Sequence, residues 1–314
     1  MNTTGTERRR SPGRGASVAA AALLVVATLV SLGLQWHDAH RMPEHDVVVA
    51  ANQAISGEVG DRDAVRVAPG WFDTARIGFD TRHLMLGTDL DEYDRHRFDR
   101  LWLLSSASHA AVAARDRAAW LRETEVRFEQ SGYRIEVGRV TQTDTVLWDG
   151  LEQIRQARVE RQPLQKGAPV ACSRWDANAW QCGRVDPYLF VGPVFREMDE
   201  SFRECVSANA LPRGQRWSVL WSQVPLGSKL RFKAGNTYLA HRSPRGSVVH
   251  LSVLLNGIEV AKRDFMPHEL GYPETVVDTA ALRGGIGDIE FRVWAEDHFD
   301  RFFCFRPQTL DTAR

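Results

Sequence analysis

An uncharged run of nineteen residues, "ASVAAAALLVVATLVSLGL", extends from Ala16 to Leu34 and ends near Trp36. At about 1.5 Å per residue a helix of that length covers roughly 28 Å, close to the hydrocarbon thickness of a bilayer. The rival, a cleaved export signal, would have a shorter apolar core and a small-x-small site, which "LQWHDAH" does not offer. Downstream the period changes. "HDVVVAANQAISGEVG" (45–60) predicts a short helix, and "DAVRVAPGW" predicts a buried strand broken at Pro69-Gly70. "RLWLLSS" (100–106) predicts a second strand. A helix follows, with Ala114, Ala118, Leu121 and Phe128 on one face; Gly132 stops it, and "YRIEVGRV" alternates as a strand. Strand, helix, strand at this spacing predicts a parallel, three-layer α/β unit.

Residues 146–169 are polar and expected to be a partly helical connector up to Pro163. Beyond them the chain reads as short strands between Gly, Pro and Asn. Asn256-Gly257 between two alternating runs marks a hairpin. Strands at that spacing without intervening helices predict a β-sandwich. The expected architecture is therefore a small parallel-sheet α/β domain plus an all-β jelly-roll sandwich, behind one N-terminal transmembrane helix. Its boundaries are a cytoplasmic tail (1–15), an anchor (16–36), the α/β domain (45–145), a connector (146–169) and a disulfide-stapled sandwich (170–308).

Charge fixes the orientation. Arg8, Arg9, Arg10 and Arg14 precede the apolar run, so the tail is expected in the cytoplasm and everything after about residue 37 outside it. The 40 basic and 40 acidic residues balance, and no basic run follows the anchor, which argues against a nucleic-acid partner. There is no G-x-G-x-x-G, phosphate loop or G-x-S-x-G. "DLDEYDRHRFDR" (89–100) lacks the central glycine and closing glutamate of a calcium loop and reads as a solvated charged loop. No metal or cofactor is expected.

The four cysteines, Cys172, Cys182, Cys205 and Cys304, are spaced too widely for zinc pairs or a C-x-x-C motif. In an oxidising compartment they read as two disulfides, Cys172–Cys182 and Cys205–Cys304.

"DAVRVAPGW", "RFDRLWLLSS" and "GYRIEVGRV", over about residues 45–140, resemble the soluble extracytoplasmic region of bacterial membrane-embedded glycosyltransferases that use polyprenyl-phosphate sugars (the mannosyltransferase and aminoarabinose-transferase type). "GSVVHLSVLLNGIEVAK" and "GYPETVVDTAALRGGIGDIEFRV", within about 215–306, are similar to galactose-binding-like jelly rolls. The resemblance implies envelope-glycan work. Those transferases carry their catalytic carboxylate in loops between many membrane helices, which has no counterpart behind one helix, so no catalytic residue carries over.

The expectation is a non-catalytic, membrane-anchored accessory protein of envelope glycan assembly, periplasmic apart from its tail and anchor. Its partners would be a glycan, a membrane glycosyltransferase, or both. Candidate ligand contacts are Arg174, Trp175, Asp176 and Trp180 between the first two cysteines, and His241, Arg242 and Tyr272 in the sandwich. Each tryptophan could equally be core. Two alternatives stand beside this reading: a structural envelope protein, and an enzyme on envelope sugars. The latter would need a pair among Asp73, Asp176, Asp186, Glu269 and Asp297, or help from His268-Glu269 or Asp297-His298.

Overall fold

The computed structural model describes residues 23–34, 43–80, 84–85, 91–182, 189–199, 201–212, 214–243 and 245–312. Residues 23–34 are helical (α1). Among the described residues no helix is long and apolar enough to cross a membrane. The cytoplasmic tail and much of the expected anchor lie outside the described residues.

The first folded unit is a four-stranded sheet with helices on its two faces. Its strands β1 (Asp63–Ala68), β2 (Arg100–Ser106), β3 (Leu121–Gln130) and β4 (Tyr133–Val140) take the order β1-β2-β4-β3. Helix α2 (His45–Ser56) packs Val48, Ala51 and Ile55 on Val65, Val67, Trp102 and Leu104. On the other face α3 (Ala110–Trp120) sets Ala113 and Trp120 against Ala64, Ala68, Leu101 and Leu103.

The sheet is mixed, which corrects the parallel expectation. β1 and β2 are parallel, but β4 is antiparallel to β2. The cause is β3. The expected helix ends at Trp120, and Leu121–Gln130 is a strand in which Thr124, Val126 and Phe128 recur every second residue. The crossover from β2 through α3 thus leads to β3. The turn at Ser131 (φ 51°) and Gly132 (φ 75°) then folds β4 back into the space between them.

The second unit is a sandwich of two antiparallel sheets, compatible with a jelly roll. The larger runs β16 (Glu274–Asp278), β13 (Lys229–Asn236), β18 (Phe303–Thr312), β11 (Phe202–Ala208), β10 (Phe190–Glu197), β9 (Ala179–Gln181), β8 (Arg174–Asp176), with β5 (Asp144–Asp149) also paired to β18. The smaller runs β15 (Ile258–Phe265), β14 (Val249–Leu255), β17 (Ile286–Ala295), β12 (Gln215–Pro225), β6 (Arg158–Pro163), β7 (Val170–Ala171). Between them lies one core, including Trp217, Trp221, Phe232, Phe291 and Phe305. The expected hairpin at Asn256-Gly257 is present, both residues having the positive φ of its turn.

The residues expected as a connector belong to the sandwich. β5 adds to one sheet and β6 to the other, and Trp148, Ile154 and Val159 enter the core. The described part of the charged stretch, residues 91–100, is also not simply solvated. Tyr93 is fully buried, and the 3-10 turn Glu92–Arg97 sits on the outer face of the larger sheet. There the Tyr93 carbonyl accepts hydrogen bonds from Arg306 and Gln308 of β18. Its ring is flanked by Arg231 at 4.3 Å and Lys233 at 5.1 Å. Both disulfides form as paired above, with Cα–Cα separations of 4.3 Å for Cys172–Cys182 and 5.6 Å for Cys205–Cys304.

Candidate functional site

The loop closed by Cys172–Cys182 is a miniature hairpin, β8 and β9, turning at Ala177 and Asn178, both at positive φ. Trp175 and Trp180 face each other across it with ring centroids 5.4 Å apart, edge to face. The Trp180 indole N–H donates to the Ile154 carbonyl at 3.0 Å, and both rings lean on the sandwich core. They are half-buried anchors of the hairpin. Arg174 and Asp176 are exposed but closed on each other in an ion pair.

Tyr272 departs from the expectation of a turn-borne, exposed ring. It is 6% exposed and packs with Met198 against Cys205–Cys304. A Cβ on Gly235 would stand 2.3 Å from the Gly271 carbonyl oxygen, and Gly271 has φ 138°. Only glycines permit that approach, which brings the turn down onto β13 and Tyr272 inward. Burial pushes its phenol well above the ordinary value, and its hydroxyl has no hydrogen-bond partner among the described residues. Tyr272 is thus buried rather than displayed at the surface.

His241 and Arg242 lie in a short helix, α4 (Tyr238–Arg242), capped by the Thr237 hydroxyl. The His241 ring stacks on Tyr238 and meets His268 edge to face, while Arg242 is exposed over the Tyr238 ring. α4 follows β13, four strands from β9 in the sheet, or about 19 Å at the usual strand spacing. The expected contacts therefore fall into two separated groups plus one buried residue.

Of the carboxylates considered for hydrolysis, the four described ones are each tied to a local partner. Asp73 faces Arg76 at 3.6 Å, Asp176 is closed on Arg174, and Glu269 accepts from Arg263 at 2.9 Å. Asp297 accepts the Phe299 N–H. Asp186 lies outside the described residues. His96, Asp149 and Glu152 come together, with His96 Nε2 3.6 Å from both carboxylates. Cations already serve this group. Asp149 takes Arg306 at 3.0 Å and Gln308 at 2.6 Å, and Arg97 stands 3.5 Å from Glu152. His96 beside Glu152 holds that carboxyl below its ordinary range despite partial burial. The arrangement is an ion-pair junction between the two units.

A further candidate lies elsewhere, at the carboxyl ends of β1 and β2, where open α/β sheets place ligands. A cis peptide at Ala68-Pro69 turns the chain out of β1. Trp71 follows at 62% exposure. Its turn is fixed by Phe72 N–H to the Pro69 carbonyl, by Asp73 N–H to the Trp71 carbonyl, and by the Arg76 guanidinium on the Gly70 carbonyl. The ring stands edge to face with His109, centroids 5.0 Å apart. His109 Nδ1 is in turn held by the hydroxyls of Ser108 at 2.9 Å and Ser106 at 3.1 Å. Ser106 also lines a groove of about 700 Å³ between α3 and the Ser131-Gly132 turn, with alanines of α3 on one side and Arg117, Glu129 and Arg134 among its polar groups. An exposed indole held on a hydrogen-bonded turn, beside a histidine fixed by two hydroxyls, suits a ligand with apolar C–H faces and many hydroxyls.

Trp71 stood in plain view as the last residue of "APGW". The signal that could have found it is the Pro-Gly break. A tryptophan just past the end of a strand is lifted off the sheet that would have buried it.

No family model matches the chain, and no curated protein matches it. Among solved structures, a family 51 carbohydrate-binding module from a Clostridium perfringens GH95 protein, in complex with methyl-galactose, is similar over 37% of this chain and 78% of its own, at 10% identity and a TM-score of 0.28. The mannan-recognising module TmCBM27 covers 55% of this chain and 100% of its own, at 8% identity and 0.30. A family 35 carbohydrate-binding module from an environmental isolate covers 39% and 88%, at 14% and 0.26. Such scores are too low to establish a common fold, and the sandwich rests on the strand pairing above.

Proposed function

We propose that this protein is a non-catalytic, membrane-anchored glycan-binding protein of the extracytoplasmic space, with residues 16–36 as its anchor. It serves envelope glycan assembly beside a membrane glycosyltransferase, in keeping with the resemblance of residues 45–140 to the soluble region of such enzymes. The observation that carries the binding reading is Trp71, a large apolar ring in water yet fixed by its turn and by His109. A preorganised aromatic loses little conformational freedom on binding, which favours affinity. The export-type N-terminus and the two disulfides support an oxidising location.

The detergent-solubilised full chain should bind members of a panel of envelope glycans, and Trp71→Ala should weaken binding by about 30-fold, the size of a hot-spot truncation. Absence of binding by the wild type, or equal binding by the variant, would overturn the reading. A second reading, a structural protein that holds a complex together, draws on Phe195 and Phe202. These exposed rings stack at 5.4 Å on β10 and β11 and offer a partner an apolar patch.

A further inference from the structure

At the opposite, amino-terminal end of the same strands lies a groove of about 600 Å³, whose lining includes Arg62, Arg100, Arg122, Arg139, Asp63 and Asp99. Three of the arginines form one rung. Arg100 of β2 is directly opposite Arg139 of β4, and Arg139 is directly opposite Arg122 of β3. Side chains so paired share a face with Cβ atoms about 5 Å apart, and like charges there repel. Sheets ordinarily avoid such a rung.

Carboxylates offset part of this charge, Asp63 on Arg100 and Glu123 on Arg139, but they are engaged there and leave Arg122 uncompensated among the described residues. Asp63 holds Arg100 through both oxygens, at 3.0 and 2.6 Å, and accepts the Trp102 indole N–H and the Gly60 N–H. Burial pushes that carboxyl up, but the Arg100, Trp102 and Gly60 hydrogen bonds outweigh it and hold it below its ordinary range. Asp99 likewise grips Arg62 through both oxygens, at 2.9 and 3.1 Å. Arg139 has one neighbour of opposite charge, Glu123 at 3.6 Å, and both side chains are two-thirds exposed. Arg122 is exposed and carries no ion pair among the described residues.

We propose that this rung is a binding site for an oxyanion, the phosphate or carboxylate of a small ligand, which Arg122 and Arg139 clamp from adjacent strands. Their planar guanidinium forks suit such oxygens, and the anion supplies the charge the rung lacks. β1 separates this site from Trp71 by roughly 17 Å, so the inference does not rest on the sugar platform.

The probe is inorganic phosphate, with glucuronate as the carboxylate arm, added to the detergent-solubilised full chain at low salt. Each should raise the melting temperature saturably, and sodium chloride should erode the gain. Arg122→Gln should weaken binding by about tenfold, and Arg122→Gln with Arg139→Gln should abolish the shift. Lys166→Gln, an exposed charge outside the groove, should leave it intact. Without anion the double variant should melt no lower than the wild type, since it relieves the repulsion. A second arm separates the sources of the anion. If a lipid headgroup occupies the site, the phosphate shift seen in phosphatidylcholine bilayers disappears when phosphatidylglycerol is included. If the ligand is soluble, the shift persists in both. An absent or non-saturating shift in the wild type, or an equal shift in the double variant, overturns the proposal.

Discussion

Replacing Arg306 with methionine removes the guanidinium that joins the two units. The side chain is 2% exposed and donates to Asp94 at 2.8 Å, to Asp149 at 3.0 Å and to the Tyr93 carbonyl at 3.2 Å. Burial alone would lower its pKa, yet the neighbouring Asp94 and Asp149 carboxylates raise it well above the ordinary value. Breaking a buried ion pair from one side costs about 3–5 kcal/mol, because the remaining charge loses its partner. Here the remainder is partly cushioned. Asp149 keeps the Gln308 amide at 2.6 Å and the Leu151 N–H at 2.8 Å, while Asp94 keeps Arg97 at 3.3 Å and some solvent. The loss should therefore sit near the lower end, about 3 kcal/mol, or a drop of roughly 6–12 °C in melting temperature for a chain of this size. Thermal unfolding followed by circular dichroism and tryptophan fluorescence would measure it. Adding Asp149→Asn removes the uncompensated buried charge, so the double variant should recover part of the loss. A cost below about 1 kcal/mol, or strict additivity of the two changes, would refute the assignment of this junction as an electrostatic tie.

Trp71→Ala should leave the melting temperature within about 1 °C of the wild type, as expected for an exposed ring; a larger drop would mean the ring is structural. Replacing Cys205 and Cys304 by alanine should cost more than replacing Cys172 and Cys182, since sequence separations of 99 and 10 correspond to about 4.7 and 2.7 kcal/mol of chain entropy; urea unfolding of the two variants would compare them. Asp91 is buried against Lys233 at 3.0 Å. Burial raises its pKa, but Lys233, the Tyr93 N–H and Arg203 together hold it below the ordinary carboxylate range. Its contribution is therefore present above about pH 4 and lost as pH falls through its lower folded value. The stability gap between wild type and Asp91→Asn should be wide at pH 7 and narrow below about pH 4; a gap independent of pH would contradict this.

The sandwich and both disulfides were legible in the sequence because hairpin chemistry is local and four widely spaced cysteines leave few pairings. The α/β unit was legible in its first two strands and both helix positions. It failed at Leu121, where the alternation of Thr124, Val126 and Phe128 follows a helix without a Gly or Pro break. The turn glycine Gly132 then looked like a helix stop rather than half of a hairpin turn. The surroundings of the expected binding residues were less legible, for a physical reason. A tryptophan between cysteines looks displayed, but a ten-residue disulfide loop is small enough to be held against its own core, as Trp175 and Trp180 are. Tyr272 was taken inward by a contact between Gly235 and Gly271, thirty-six residues apart, which no local pattern encodes.

The docking of the two units also decides where a ligand can bind. The outer face of the larger sheet carries Arg203, Arg231, Lys233, Arg306 and Gln308, a polar surface that would otherwise suit a hydroxylated or anionic ligand. Tyr93 and its flanking aspartates cover it, with Asp91 on Lys233 and Arg203, and Asp94 on Arg306. The face is thus closed by the chain itself. Two surfaces left open are carried by the α/β unit at the two ends of one parallel strand pair: an aromatic platform at the carboxyl end and an arginine rung at the amino end. If both proposals hold, an extended ligand bearing a sugar and an oxyanion could meet the two sites only by crossing the length of β1. A phosphate-bearing monosaccharide is too short for that and should show independent effects of Trp71→Ala and Arg122→Gln. Strong coupling between those two changes, measured with such a ligand in a double-mutant cycle, would show that the sites are not separate.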